Sequence, residues 1–172
     1  MDGVTTHAFS QPGDDLLYQM WDAVTRDGCA QHLLYDHRPV TVSVFYRYFF
    51  NKPVVAAYTH AGLAGFVWAT DIIDGVHLFS HIYIHRPARR VVSLPLTRAG
   101  LDYAFGDVGV RTVWGTNIWP TAVAHARRAG FTCVATIPGL VPWDGELKDL
   151  YFWRMTRDEW ETIRLSEAYS GS

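Results

Sequence analysis

The chemistry of this chain concentrates in one stretch, His77–Val92, which reads HLFSHIYIHRPARRVV. An imidazole titrates near neutral pH and can take or give a proton in a reaction. A guanidinium makes forked hydrogen bonds to phosphate or carboxylate. Three histidines here lead directly into Arg86, Arg89 and Arg90. Asp74-Gly75 just before them is a hairpin turn signal, and the β-branched and aromatic content predicts a strand from Val76 to about His85. Alternation then puts Leu78, Ser80, Ile82 and Ile84 on one face, and His77, Phe79, His81, Tyr83 and His85 on the other. Residues four apart on a strand are separated by about 13 Å. That is too far for one ion with ligand bonds near 2 Å, so His77, His81 and His85 predict no metal site. A helix is expected from about Ser93, with the arginines in the loop before it. A strand, an arginine-bearing loop and a helix N-terminus together form a candidate anion site, since backbone N–H groups and positive charge face one point. The same residues also read as a solvated basic turn.

The elements that must hold these residues follow from periodicity. Asp14 and Asp15 precede Leu16, Leu17, Met20, Trp21 and Val24, a helical spacing with acids where the dipole favours them, and Gly28 is a plausible stop. Pro39 and Thr41 open a second helix with Val44, Phe45, Tyr48 and Phe49 on one face. Strands are predicted over 53–59 and 62–70, with the turn at His60–Gly62. After the His77 strand come a helix to Phe105, a strand over 111–116, a helix from Pro120 to Arg128 stopped by Gly130, strands over 131–137 and 149–155, and a terminal helix over 158–168. The first ten or so residues are polar and expected to be loose, as are 1–12 taken together. The order predicts an α/β (α+β) fold: a mixed, mostly antiparallel central sheet of about six to seven strands with helices on both faces.

The bulk numbers set outer limits. The 172 residues suit a single domain spanning 1–172, and 49% hydrophobic content is enough for a sizeable core. The formal net charge of -2 argues against a general grip on nucleic acid. Cys29 and Cys133 lack CxxC spacing and are expected to be buried free thiols. No signal peptide and no transmembrane run of about 20 apolar residues is visible. The expectation is a soluble cytoplasmic protein with no membrane partner.

The second half carries the most specific pattern. TVWGTNIWPTAVAHARRAGF (112–131) is followed later by KDLYFWRMTRDEW (148–160). A strand, an Asn-containing turn at Asn117, an Ala-rich helix, Gly130-Phe131 and a further strand resemble the GNAT superfamily of N-acetyltransferases. The resemblance covers roughly Asp14 to Trp160. Pro138-Gly139, Asp144-Gly145 and the late Arg-Met-Thr-Arg-Asp-Glu-Trp are similar to a branch found in phage and bacterial genomes.

The resemblance implies a GNAT-like fold and an acetyl group passed from acetyl-CoA, the co-substrate, to a primary amine by direct attack in a ternary complex. It implies that backbone groups of Ile82, Tyr83 and Ile84 pair with the pantetheine arm and that the loop Arg89, Arg90, Val91, Val92, Ser93 and Leu94 takes the pyrophosphate. The family's pyrophosphate motif is Arg/Gln-x-x-Gly-x-Gly/Ala. This loop has no glycine, so the two arginines are expected to compensate by direct contact. Asn117 reads as a cofactor contact or a cap of the following helix. The tyrosine that often protonates the leaving thiolate is replaced by Ala126, and Trp119 stands at the common Asn position.

His81 is the first choice for general base, with packing on the sheet face as its plain alternative. His85 is second, with phosphate contact or exposure as alternatives. His125 reads as a helix-surface residue. Trp119 or Trp143 could line an acceptor pocket, and Asp144 and Glu146 could meet a cationic amine. The expected partner is a small-molecule or protein amine, with a homodimer possible. The competing function is a catalytically degenerate module on the same fold that binds acyl-CoA or a protein without turnover.

Overall fold

The computed structural model describes residues 3–34 and 39–170; the other residues, including the two at each terminus, lie outside the description. The chain runs β1 (Thr5–Phe9), α1 (Asp14–Arg26), α2 (Ala30–Leu33), α3 (Val42–Phe49), β2 (Val54–Thr59), β3 (Gly62–Ile73) and β4 (His77–Ile84). A 3-10 turn at Arg86–Ala88 then leads into α4 (Arg89–Phe105), β5 (Thr112–Asn117), α5 (Pro120–Arg128), β6 (Thr132–Trp143), β7 (Glu146–Thr156) and α6 (Arg157–Ser170). The seven strands hydrogen-bond in the order β1-β2-β3-β4-β5-β7-β6. The β4–β5 pair is parallel, while β1–β2, β2–β3, β5–β7 and β6–β7 are antiparallel. This is the mixed sheet that the element order predicts. Among the described residues no helix is long and apolar enough to cross a membrane.

Two compact units are present. One holds the chain up to Thr70 together with Ile82–Gly100, and the other holds Asp71–His81 together with Leu101 onward. The first has an aromatic core. Phe45 and Phe49, four apart on α3, are fully buried, and Phe49 meets Phe66 at 5.8 Å and Trp68 at 5.2 Å between ring centroids. Phe66 in turn meets Tyr83 at 5.1 Å. From α1, Leu17, Met20 and Val24 join the same cluster. Such ring pairs contribute about 0.5–1.5 kcal/mol each beyond area burial. The helix α1 ends as its sequence predicts: Gly28 has φ 67°, and the Gly28 and Cys29 N–H groups donate to the Thr25 and Val24 carbonyls. Those two bonds make a Schellman stop.

In the second unit the motif residues turn out to be helix punctuation. Gly130 has φ 89°, and the Gly130 and Phe131 N–H groups donate to Arg127 and Ala126, closing α5 by the same device. The Thr-Arg-Asp-Glu run opens α6 as a capping box: the Thr156 N–H donates to Glu159 Oε2 at 2.7 Å, and the Glu159 N–H donates to Thr156 Oγ1 at 3.3 Å. Trp153 and Met155 of β7, Val113 of β5 and Trp160 of α6 are buried in this unit.

Four expectations are corrected. Thr5–Phe9, expected to be loose, forms β1 and pairs with β2 from Thr5↔Tyr58 to Phe9↔Val54. Its side chains are mostly exposed, so an edge held by backbone hydrogen bonds left no apolar period to read. The short α2 was also unread. The stretch Arg89–Leu94, expected as a loop, is the first part of α4, where Val92 packs inward. Finally, Cys133 is exposed and Cys29 only half-buried; Cys133 sits on an edge strand with little covering it.

The first unit depends on a close approach at Gly65. The β2–β3 register shifts at Ala57/Tyr58, which places Ala64 in a bulge beside Gly65. A Cβ on Gly65 would lie 2.7 Å from the Tyr83 carbonyl oxygen and 3.2 Å from the Ile84 Cα. We therefore expect Gly65→Ala to cost about 1–3 kcal/mol, read as a lower midpoint in urea denaturation with an unchanged m-value. An unchanged midpoint would contradict this close approach.

Candidate functional site

The predicted site residues divide between the two units. In the second unit, His77, Leu78 and Phe79 pair in parallel with Thr112, Val113 and Trp114, and among the described residues this ladder covers only those three pairs. His81 is half-buried at the end of this segment. Asn117, paired with Tyr151 across β5 and β7, has a buried Oδ1 with no hydrogen-bond partner among the described residues. It does not cap α5, whose N-cap is Trp119 with no side-chain cap. Trp119 packs edge-on against Trp143, with centroids 5.2 Å apart and an 87° angle. His125 is half-buried rather than on the helix surface; burial, and then the Arg128 charge, push its pKa below the ordinary value. Of the acids named for a cationic amine, Glu146 pairs with Lys148, while Asp144 takes the turn with φ 50°.

In the first unit, at the end of β4, Tyr83 is 5% exposed and Ile82 37%. Tyr83 thus points into the aromatic core, and Ile82 points away. The strand end is tied down by an acid that the sequence reading passed over, Asp27, which caps the C-terminus of α1. Its side chain is only 7% exposed. The Tyr83 hydroxyl lies 2.9 Å from both Asp27 Oδ2 and the Ala23 carbonyl. The Arg86 N–H donates to Oδ2 at 3.1 Å. His85 Nδ1 lies 2.8 Å from Oδ1, in a geometry that does not count as a hydrogen bond. The His85 N–H donates to the bulged Ala64 carbonyl at 2.9 Å.

These contacts set the titration of both partners. Burial by itself raises the Asp27 pKa. The Arg86 N–H, the Tyr83 hydroxyl and His85 outweigh it and hold the carboxyl below its ordinary value. The Tyr83 phenol is driven far above its ordinary value, by burial first and then by the Asp27 hydrogen bond and charge. It stays neutral and serves as a donor. One signal for Asp27 was available in the sequence: an acid at a helix C-terminus opposes the dipole, and such a residue calls for a partner.

Beyond this anchor the surface is cationic. Arg89, Arg90 and Val91 are exposed at the start of α4, whereas Val92 and Ser93 are buried and the Ser93 hydroxyl donates to the Arg89 carbonyl. Arg89 Nε lies 3.5 Å from the Ile84 carbonyl. Among the described residues no carboxylate pairs with Arg89 or Arg90, and the first turn of α4 contains no acid. Two cations at a helix N-terminus repel its positive dipole end. The preceding 3-10 turn already takes the Ala88 and Arg89 N–H groups, and an anion placed there would relieve the repulsion. The arrangement therefore suits a phosphorylated ligand, and an extended one could lie along the Ile82–Ile84 backbone. Among the described residues no cluster of three His, Cys, Asp or Glu side chains suits a metal ion.

No family model matches the sequence, and no curated protein does. Solved structures do match in fold. A spermidine N-acetyltransferase from Vibrio cholerae, in complex with CoA and spermine, is 12% identical and aligns with a TM-score of 0.76 over 92% of this chain and 98% of that one. An N-acetyltransferase from Staphylococcus aureus Mu50 gives 13% identity and 0.73, over 90% and 98%. A Salmonella typhimurium protein solved with its cofactor acetyl-CoA gives 17% and 0.69, over 89% and 93%. At these identities the likeness establishes the fold: a GNAT-like acyltransferase fold, as the resemblance implied.

The Asp27 cluster gives a pH expectation. A carboxyl whose folded pKa is depressed adds stability that is complete above its unfolded value, near 3.9, and is lost as pH falls through the folded value. Tyr83→Phe removes one of the hydrogen bonds that depress it. We expect the acid-labile part of the unfolding free energy to shrink in this variant when urea midpoints are followed from about pH 6 to 2. An identical acid limb in both proteins would contradict the assignment.

Proposed function

We propose that the chain is an acetyl-CoA-dependent N-acetyltransferase. The observation that carries the reading is the start of α4: among the described residues Arg89 and Arg90 stand without acidic partners at a helix N-terminus, one 3-10 turn after the strand end Ile82–Ile84. A diphosphate would take the two guanidinium groups and backbone N–H of the first turn, that of Val91 among them. The side chains of Val92 and Ser93 contribute nothing to it, being buried. The pantetheine arm would pair with backbone groups of Ile82–Ile84 like an added strand. The fold likeness to structures holding CoA or acetyl-CoA supports the cofactor.

In the reaction proposed, the amine nitrogen attacks the thioester carbonyl carbon, the C–S bond breaks and the acetyl group passes to nitrogen. The enzyme's part is positioning and proton traffic. His81, one residue before the pantetheine-pairing segment, takes the amine proton. Ala126 cannot return one to the thiolate, so solvent or another side chain does. The spermine in the Vibrio structure supports a small-molecule primary amine as acceptor, and the Trp119–Trp143 pair offers an aromatic surface that a cationic amine favours. Ala126 also favours a second reading, an acyl-CoA binder without turnover.

Arg89→Ala combined with Arg90→Ala should weaken CoA binding by at least tenfold, because each charge-assisted hydrogen bond contributes about 1.5–3 kcal/mol; equal affinity by calorimetry would remove the phosphate assignment. His81→Ala should lower kcat by about 10²-fold or more while leaving CoA affinity unchanged; full activity in a thiol-release assay with a panel of amines would rule out the base role. Wild-type protein that binds CoA but releases no thiol with any amine would select the binder.

A further inference from the structure

We propose that Asp27 is the positioning residue of the cofactor site, acting through Tyr83, His85 and the Arg86 N–H to fix the end of β4 and the entry to α4. The inference rests on the acetyl-CoA reading, because it assigns Asp27 to the geometry of the segment that reading uses.

Three facts point to it. Asp27 contacts residues 56 to 59 positions away in sequence, at three successive places along the strand end: the Tyr83 hydroxyl, His85 Nδ1 and the Arg86 N–H. Tyr83 alternates with Ile82 and Ile84, so fixing its side chain fixes the rotation of the backbone that would pair with pantetheine. The Arg86 N–H opens the 3-10 turn from which α4 and its arginines emerge, so fixing it sets where Arg89 and Arg90 stand. Burial and the negative end of the α1 dipole both work against an ionised acid, so its contacts to Tyr83, His85 and the Arg86 N–H are what hold it there. The join between α1 and this strand does not need it, because Leu17, Met20 and Val24 already share an apolar cluster with Tyr83. A positioning role accounts for a buried acid where an apolar residue would pack.

The test is calorimetric titration of CoA into wild type, Asp27→Ala, Asp27→Asn and Tyr83→Phe, with amide hydrogen exchange on the same proteins. Asp27→Ala should raise the CoA Kd at least tenfold with stoichiometry near one, and faster exchange should be confined to residues 82–92. Asp27→Asn, which keeps an acceptor oxygen, should recover part of the affinity. If Asp27→Ala does not fold, Tyr83→Phe tests the same link and should raise Kd several-fold. An unchanged Kd, or a loss of stoichiometry without a change in Kd, overturns the proposal, since a merely structural acid lowers the folded fraction and not the affinity of what remains. Wild type that binds no CoA would overturn the functional reading instead. The exchange data would then decide the anchor separately: unaltered protection over 82–92 in Asp27→Ala would overturn it.

Discussion

The end of a strand must be held by its surroundings, since buried backbone groups and side chains have to be satisfied somewhere. What holds the last residues of β4 is the bulged β3, the bare Cα of Gly65 and the buried carboxylate of Asp27.

The helix termini show where electrostatics has been spent differently. Both α1 and α6 begin with acids, Asp14 and Asp15 in one and Asp158 and Glu159 in the other, as the dipole favours. By contrast, α4 begins with two arginines and no acid. A surface optimised only for stability would not choose that arrangement, and the proposed phosphate contact would give the charge a use. Local rules tend to be broken where a site is built.

Much of the architecture was legible because it follows from period and punctuation. The α5 boundaries are the expected ones, and Gly28 and Gly130 act as the stops their position suggests. Three things were not legible. Strand β1 has an exposed, polar edge and so carries no hydrophobic alternation. The start of α4 was hidden by Arg89–Val92, whose residue types suit a loop or strand and whose helicity is secured by packing of Val92 and Leu96. Asp27 was hidden because its partners are nearly sixty residues away. Asn117, open to a capping role in the sequence, does not cap α5, whose N-cap is Trp119.

The far end of the sheet has a different consequence. Strand β6 is its last member, without a charged residue along twelve positions and with Val134, Ile137 and Leu140 exposed. Such a border invites foreign chains to add on and grow. Its pairing with β7 slips at Cys133/Ala135 and again at Ile137/Val141, around Pro138 and Gly139, with Pro142 close behind. Prolines withhold donors and bulges bend the rim. An uncharged border is thereby kept from presenting the straight, regular row of amides that fibrillar stacking requires.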